Sequence, residues 1–536
     1  MLENNRKILI FDTTLRDGSQ GEGVSFSSTD KIRLAEKLDA LGVAYIEGGW
    51  PGSNPRDAEF FARIRGKKFH HARLTAFGST RRVGNRVDED CNLRALLAAE
   101  TPAVSLFGKA WRLHVDEVLH TTAEENLAMI RESCAYLTDH KREVIFDAEH
   151  FFDGCKDDPE FAMATLLAAV DAGAAAVTLC DTNGGAMPLE IYHISQEVRK
   201  RIPAHVILGI HCHNDGEMAV ANSILSVRGG AGMVQGTING FGERTGNANL
   251  CSIIPALQLK AGFSCLPEGH VGMLKEVSNF VDDIANVRHD PALPYVGESA
   301  FAHKGGMHVN AVDKNPRTFE HIEPELVGNR RRILVSDLAG KSNLRMKAEE
   351  LGIDIGNDNN LAKLLELLKE KENAGYEYEA ANASMALLLH KSIHGWNPFF
   401  TLEGFRVIVE KRKTDDGAVI AEATVKLSVN GESKLVAAEG EGPVNALDLA
   451  LRKALERFYP EIRGIQLVDY KVRIIEGVNG TAAHTRVLID STDGSTFWGT
   501  VGLSENIIQA SWEALVDSME YILFRKNATP ENIPTA

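Results

Sequence analysis

The 536-residue sequence has little of what marks a secreted or membrane-spanning protein. Its seven cysteines are an odd number and form no Cys-x-x-Cys pair, which predicts reduced thiols in a cytoplasmic protein. The first residues include only the short apolar run ILIF, which is too short for a signal-peptide core. The most apolar long window, 161–180, is interrupted by Asp171 and Gly173. This interruption favours a helix followed by a buried strand over a membrane span.

Positive charge is also scarce. Lys and Arg total 58 against 74 Asp and Glu, which gives a formal net charge of −16. Nucleic acids and anionic membranes attract clustered Lys and Arg, so the acidic balance predicts neither as a partner. The 44% hydrophobic and 25% charged residues are typical of a globular protein, and at roughly 100–200 residues per domain the length predicts two to four domains.

From residue 7 to about 262 one unit repeats: an apolar run, a polar loop and an amphipathic helix. The first helix, 28–41, has Ser28 or Thr29 as its predicted cap and Gly42 at its end. Eight such units predict a (β/α)₈ TIM barrel, with a doubly wound open sheet as the alternative. Polar residues at the strand ends favour the barrel, which gathers them around one mouth. The predicted strands are 7–14, 43–49, 72–79, 103–109, 143–149, 174–181, 205–213 and 233–240.

The rest of the chain changes in pattern. After a catalytic barrel at 1–265, residues 266–395 predict a mostly helical linker region with a glycine-rich stretch at 297–310. The overlapping segment 300–312 is predicted to be a lid-like loop. Residues 396–528 predict a separate α+β domain built from a βββα duplication, with helices at 443–458 and 506–523. Residues 529–536 are predicted to be a tail.

The strongest local signal is HCHND at 211–215. Alternate residues of a strand face the same side, so His211 and His213 point together into the mouth. Taken alone, the pair is equally consistent with two buried, hydrogen-bonded histidines. Beside Asp17, which follows the first strand, it predicts an O,N,N site for Mg²⁺, Mn²⁺, Co²⁺ or Zn²⁺.

Other chemically capable residues follow the predicted strands. The segment FGSTRR (77–82) and Lys109 add positive charge suited to an anionic substrate or to the phosphates of a cofactor. Glu149 and Thr182 complete the polar lining. The glycine-flanked His303 and His308, beyond the barrel, lie in the lid-like region. Together these residues outline a Lewis-acid site with general bases nearby.

Three motifs, LRDG at 15–18, HCHND at 211–215 and GERTGN at 242–247, resemble those of the metal-dependent Claisen-condensing barrel enzymes. That family includes 2-isopropylmalate, homocitrate and citramalate synthases and the related hydroxymethylglutaryl-CoA lyases. The C-terminal duplication is similar to the family's regulatory domain. Four longer segments, 46–57, 77–82, 108–115 and 303–322, are similar to its citramalate synthase branch.

The resemblance implies transfer of the acetyl group of acetyl-CoA onto a 2-oxo acid, with thioester hydrolysis. For this branch the acceptor is pyruvate and the product is (R)-citramalate, a step toward isoleucine through 2-oxobutanoate. The implied metal ligands are Asp17, His211 and His213, with Asn247 as a nearby or direct ligand. Arg16 would stabilise the alkoxide, and Thr182 would bind the substrate carboxylate. Glu149 and His308 are both implied as the enolising base, and the sequence does not separate them.

Substrate choice depends on the space around the oxo acid's side chain. Phe77 and Phe107, at the ends of strands three and four, are predicted to exclude a branched acid and favour pyruvate over 2-oxoisovalerate. Three positions depart from the family pattern. Asn310 replaces a common Asp, Phe319 replaces a Tyr, and Arg112 replaces an acid.

For the C-terminal domain the resemblance implies a homodimer with isoleucine as feedback inhibitor. Glycine-rich segments at 439–445 and 499–506 each precede a helix whose N-terminus could bind a carboxylate. The alternative is a dimerisation module without a ligand. For the whole chain the alternatives are a 2-isopropylmalate or homocitrate synthase, a lyase, and a catalytically inactive metal-binding amino-acid sensor.

Overall fold

A computed structural model describes residues 6–334, 341–356, 358–411, 419–475 and 484–526, so the predicted tail at 529–536 lies outside the described residues. The chain divides into two compact units, Met1–Phe301 with His321–Arg331 and Ala302–Glu320 with Arg332–Ala536. The domain boundaries given above stay a prediction. Of the helices that the structure describes, none has the length and apolar character needed to cross a membrane.

Eight parallel strands close into a barrel in the first unit, which confirms the predicted fold. Each strand pairs with the next, and the last pairs with the first through Leu9 opposite Met233 and Asp12 opposite Gly236. The strands are β1 (Leu9–Asp12), β2 (Tyr45–Gly49), β3 (Arg73–Ser79), β4 (Ala103–Lys109), β5 (Glu143–Glu149), β6 (Ala176–Asp181), β7 (Ile207–Cys212) and β8 (Met233–Gly236).

Helices alternate with these strands along the chain. They are α1 (Ser28–Leu41), α2 (Pro55–Ile64), α3 (Cys91–Ala98), α4 (Arg112–Glu117), α5 (Ala123–Asp139), α6 (Phe151–Asp157), α7 (Pro159–Asp171), α8 (Pro188–Arg201), α9 (Ala219–Arg228), α10 (Leu250–Pro255) and α11 (Leu274–Ala285).

The predicted cap of α1 was wrong by one or two residues. Ser27, not Ser28 or Thr29, accepts a hydrogen bond from the backbone N–H of Asp30, whose carboxylate accepts from the N–H of Ser27. Such a capping box needs its acid three residues after the cap, and Ser27 satisfies that spacing. Gly42 ends the helix as predicted, with a φ of 95°.

The barrel interior changes from apolar to polar along the strands. Near the N-terminal ends, residues such as Phe11, Ile145 and Met233 pack as a small apolar cluster. Two positions further on, Ile145 is followed by Asp147 and Met233 by Gln235, because alternate residues of a strand face the same side. This apolar floor closes one end of the barrel and leaves polar side chains at the carboxyl ends of the strands.

The second unit contains the predicted βββα duplication. Two antiparallel sheets each precede a helix that packs on them. The first is formed by β11 (Thr401–Lys411), β12 (Val419–Val429) and β13 (Glu432–Gly440), and the second by β14 (Gln466–Ile474), β15 (Thr485–Thr492) and β16 (Phe497–Ser504). Along β12 the alternate residues Ala421, Ala423, Val425 and Leu427 are buried, as expected for a sheet with one covered face. The elements are β9 (Ala302–His303), α12 (Gly306–Lys314), β10 (Arg332–Ile333), α13 (Lys341–Glu350), α14 (Asp358–Asn373), α15 (Asn382–His394), β11 (Thr401–Lys411), β12 (Val419–Val429), β13 (Glu432–Gly440), α16 (Pro443–Leu455), β14 (Gln466–Ile474), β15 (Thr485–Thr492), β16 (Phe497–Ser504) and α17 (Ile507–Arg525).

Candidate active site

A pocket of about 230 Å³ opens at the carboxyl ends of the barrel strands. This is the end at which barrel enzymes carry their active sites. The lining brings together most of the side chains singled out in the sequence, although they come from six different segments of the chain. They are Arg16, Asp17, Phe77, Phe107, Glu149, Thr182, His211 and His213.

Asp17, His211 and His213 converge on one point of the pocket. Asp17 lies in the loop after β1, His211 lies in β7, and His213 follows that strand directly. Nε2 of His211 lies 3.4 Å from Oδ2 of Asp17 and 3.4 Å from Nε2 of His213. The intervening Cys212 packs in the hydrophobic core on the opposite side. One carboxylate and two imidazoles at this spacing are suited to a divalent cation.

Unsatisfied polar atoms support a cation at this point. Oδ2 of Asp17, Nδ1 of His213 and Oδ1 of Asn247 are buried and make no hydrogen bond. The backbone of Asn247 pairs with that of His213, and its amide nitrogen donates to the carbonyl of Phe241 at 3.1 Å, which leaves the amide oxygen free. A buried oxygen without a partner is costly, and a cation bound here would satisfy it.

The protonation states of Asp17 and His213 also suit the binding of a cation. Burial alone would raise the pKa of Asp17, but Arg16 and His211 outweigh it and hold the pKa below its usual range. Burial lowers the pKa of His213 to about 4, and the neighbouring His211 acts in the same direction. The site therefore offers an ionised carboxylate and a neutral imidazole, which are the forms that bind metal ions.

Three neighbours hold the guanidinium of Arg16. Its Nε donates to Oε2 of Glu47 at 2.6 Å, and Nη1 lies 3.1 Å from Oδ1 of Asp17. Its Cζ lies 3.7 Å from the ring centre of Phe77, a cation–π distance. Burial alone would lower the pKa of Arg16, but the carboxylates of Asp17 and Glu47 outweigh it and raise the pKa. The pocket thus has a fixed positive charge beside Asp17.

An aromatic wall forms another side of the pocket. The rings of Phe77 and Phe107 stack with their centres 5.2 Å apart, and Trp50 meets both edge-on at 5.6 and 5.5 Å. Nε1 of Trp50 donates to Oδ1 of Asn92 at 2.7 Å, which fixes the indole. The wall is apolar and its rings are packed together, so it limits the size of any side chain that a substrate can place against it.

Glu149 and Thr182 lie at the ends of β5 and β6. The Glu149 carboxylate forms an ion pair with Nζ of Lys109. Thr182 Oγ1 accepts a hydrogen bond from the backbone N–H of His150 at 2.9 Å, so its hydroxyl proton stays available to a ligand.

His308 belongs to the second unit. It lies on α12, is exposed, and stacks on Phe319 with ring centres 4.2 Å apart. Its catalytic role stays a prediction. Arg112 lies on α4 beside the exposed Asp116, one turn away, and over the ring of Phe161. These two contacts hold the Arg112 side chain at the protein surface.

Several lining residues are not predicted from the sequence, among them Trp50, Asp147 and Gln235. The period-two rule contains the signal for Asp147, because Asp147 precedes Glu149 by two residues in the same strand. Gln235 lies within β8 and Trp50 directly after β2.

Three family models match the chain. HMGL-like matches residues 7–281, the homocitrate synthase post-HMGL domain-like model matches 295–375, and the LeuA allosteric (dimerisation) domain matches 379–523. An (R)-citramalate synthase of Aquifex aeolicus is 56% identical, and one of Geobacter sulfurreducens is 53% identical; each alignment covers 97% of this chain and 98% of the relative. A probable 2-isopropylmalate synthase of Methanopyrus kandleri is 32% identical over 97% of this chain and 99% of the relative.

Proposed function

We propose, because the chain belongs to the (R)-citramalate synthase family, that it condenses acetyl-CoA with pyruvate and water to give (R)-citramalate and free CoA. The product would lead toward isoleucine through 2-oxobutanoate. The observation that carries this proposal is the convergence of Asp17, His211 and His213 beside Arg16 in one pocket. The 2-isopropylmalate alternative has weaker support, because its relative is less similar.

Asp17, His211 and His213 would hold the divalent cation, with the free oxygen of Asn247 beside them. Mn²⁺, Mg²⁺, Co²⁺ and Zn²⁺ all suit this donor set. A cation bound here would act as a Lewis acid that polarises the ketone of the oxo acid.

Arg16 supplies the fixed charge for the condensation. When the acetyl-CoA enolate attacks the ketone carbon, the ketone oxygen becomes an alkoxide. The guanidinium is held by Glu47 and Phe77 before the reaction begins, so it stabilises this charge without having to reorganise. Thr182 would donate its hydroxyl proton to the carboxylate of the oxo acid.

A base must remove a proton from the thioester methyl group. Glu149 lines the pocket, and its ion pair with Lys109 fixes the carboxylate at the mouth. His308, the other proposed base, belongs to the second unit. Comparing E149Q and H308Q for exchange of the methyl protons of acetyl-CoA with solvent deuterium separates the two roles.

The aromatic wall supports pyruvate as the acceptor. The rings of Phe77, Phe107 and Trp50 pack with their centres 5.2–5.6 Å apart. We expect a wall of three bulky rings to accommodate a methyl group more readily than a branched side chain. A difference of this kind is worth about 1–3 kcal/mol.

For the second unit we propose a homodimer with isoleucine as its feedback inhibitor, on the match to an allosteric dimerisation domain. The two helix N-termini differ. Asn506 caps α17 with its own side chain, whereas Gly442 at the start of α16 provides no side-chain cap. The start of α16 is therefore the better candidate for the inhibitor's carboxylate. Calorimetry with isoleucine tests this, and absence of binding by the intact protein would remove the sensor role.

The central experiment measures thiol release from acetyl-CoA by metal-loaded protein, with pyruvate and 2-oxoisovalerate side by side and a chelator control. Chelator-sensitive release with pyruvate dominant, and citramalate as the product, is the expected result. Dominance of the branched acid would support leucine synthesis instead. Metal binding without turnover on any oxo acid would support the inactive amino-acid sensor.

A further inference from the structure

A second group of metal-ligating side chains lies beside the proposed cation site. Ligand atoms of His114, Glu149 and His150 lie within 4.8 Å of one another. His114 comes from α4, Glu149 ends β5, and His150 follows it. In a regular strand, neighbours such as Glu149 and His150 face opposite sides. His150 instead has a left-handed backbone, with a φ of 56°, and this turn directs its ring toward the same cluster.

We propose that His114, Glu149 and His150 form a second site, which binds a zinc-like transition-metal ion and inhibits the enzyme by occupying Glu149. The two-histidine, one-glutamate donor set is one that Zn²⁺ uses with an open fourth position. Mg²⁺ prefers oxygen ligands and would not compete well for it.

The hydrogen bonds around His150 are those of a metal ligand. Its Nδ1 lies 3.0 Å from Oδ2 of Asp153, and that carboxylate also accepts from Nδ2 of Asn183 at 3.0 Å. A carboxylate behind an imidazole fixes its tautomer and leaves Nε2 as the ligand atom. Gln235 supports His211 of the first site in the same way. Nδ1 of His114 is buried and makes no hydrogen bond, so this ring also has an unused nitrogen.

The residues around the second site determine how an ion reaches it and how tightly the ion binds. Glu149 lines the active-site pocket, so an ion can reach the cluster from the mouth. Trp111 covers the two imidazoles, with ring centres 5.4 Å from His114 and 5.5 Å from His150. Lys109 forms an ion pair with Glu149 and must give up part of that contact when the metal binds. The site is therefore weaker than the first, as suits an inhibitory ion rather than a resident one.

The inhibition part of this inference rests on the proposed function, but binding does not. Zn²⁺ is titrated by calorimetry into the full chain in buffer containing Mg²⁺. The wild type should bind two Zn²⁺ ions, because Zn²⁺ also displaces Mg²⁺ from the first site. H114A and H150A should each bind one. The double variant H211A/H213A should still bind one Zn²⁺ ion, and the triple variant H114A/H211A/H213A should bind none.

Two further variants test whether the second Zn²⁺ ion binds at His114, Glu149 and His150. D153N should weaken the second site about 10-fold or more, since loss of an outer carboxylate costs 10–100-fold in metal affinity. H140A removes an exposed histidine whose Nδ1 contacts the carbonyl of Tyr136 in its own helix, and it should change nothing. If H211A/H213A does not fold by circular dichroism, the comparison of H114A with wild type decides. Two ions on H114A, or none on folded H211A/H213A, would overturn the proposal.

The activity measurement uses each variant's own zinc-free rate as its reference. Excess Zn²⁺ should inhibit the wild type and H140A, and at least a 10-fold higher concentration should be needed for H114A. Equal inhibition of H114A and wild type would show that Zn²⁺ acts elsewhere. If no variant turns over any oxo acid, the proposed function fails, while the binding stoichiometry still decides the second site.

Discussion

Oε1 of Gln235 lies 3.0 Å from Nδ1 of His211, and this contact determines which imidazole nitrogen faces the proposed cation. The amide is held in one orientation because its nitrogen donates to Oδ1 of Asp147 at 2.8 Å and to Oγ1 of Thr178 at 3.2 Å. Nδ1 of His211 therefore donates to Gln235, and Nε2 is the nitrogen that would face a bound cation.

Replacing Gln235 with Leu should reduce affinity for Mn²⁺ about 10–100-fold, because His211 loses the partner that fixes its tautomer. Calorimetry with Mn²⁺ measures this directly and needs no substrate. Q196L, on the outer helix α8, is the matched control and should bind as the wild type does. Unchanged Mn²⁺ affinity in folded Q235L would contradict the role assigned to this contact.

The Arg16 geometry predicts that lysine cannot replace it. A lysine has no planar fork to bind Glu47 while facing Asp17, and its ammonium cannot stack on Phe77 as a guanidinium does. R16K should lower kcat by about 10²–10³-fold, the usual cost of losing a preorganised charge at a developing alkoxide. R56K, a surface substitution in α2, should leave kcat unchanged. A folded R16K enzyme with more than a tenth of wild-type kcat would argue against this role for Arg16.

The aromatic wall predicts a change of substrate preference. Shrinking Phe107 to Ala removes one of three packed rings and opens space for a branched side chain. F107A should raise kcat/KM for 2-oxoisovalerate relative to pyruvate by about 10-fold or more. F69A, which lies outside the pocket, should leave that ratio as it is. If F107A also leaves it unchanged, Phe107 does not determine the acceptor.

Much of the fold could be predicted because the barrel repeats one local pattern eight times, and each repeat shows its strand and helix periodicity independently. The alignment of His211 with His213 was also predictable, since strand alternation acts over two residues. The C-terminal duplication was visible for the same reason: alternating apolar residues mark each strand before its helix.

The supporting contacts could not be predicted in this way. Arg16 meets Glu47 and Gln235 meets Asp147 across 31 and 88 positions of sequence. Such partners depend on the register of strands around the closed barrel, which the pattern of a single strand does not contain. A left-handed turn at a single residue, such as His150, also cannot be predicted from the periodicity of the sequence.

Gly242 offers a test of Asn247 that leaves Asn247 in place. A Cβ at Gly242 would lie 2.1 Å from Nδ2 of Asn247, so G242A must displace that side chain. We expect Mn²⁺ affinity to fall about 10-fold or more, as for loss of a supporting contact. G185A is the control, because a Cβ at Gly185 meets nothing within 4 Å. Wild-type Mn²⁺ affinity in folded G242A would show that Asn247 does not contribute to the site.

The second unit should show a pH-dependent stability that originates at Asp517. Burial raises the pKa of Asp517 from 3.8 to about 6, while Lys391 opposes the rise and Glu520 adds to it. Oδ2 accepts a hydrogen bond from Oγ of Ser384 at 2.6 Å. Because the folded-state pKa lies above the unfolded value, the protonated form stabilises the fold. That stability is complete below pH 3.8 and is lost as the pH rises through about 6.

Asn at this position resembles the protonated acid and cannot ionise, so D517N should be more stable than the wild type at pH 8 by roughly 2–3 kcal/mol. The difference should shrink as the pH falls toward 5, and urea unfolding at both pH values measures it. D493N is a control of opposite sign, because hydrogen bonds from Ser495 and Thr496 hold the pKa of Asp493 below its usual range. It should be less stable than the wild type at neutral pH, and that gap should close in acid. A D517N advantage that does not depend on pH would mean that packing, rather than ionisation of Asp517, causes it.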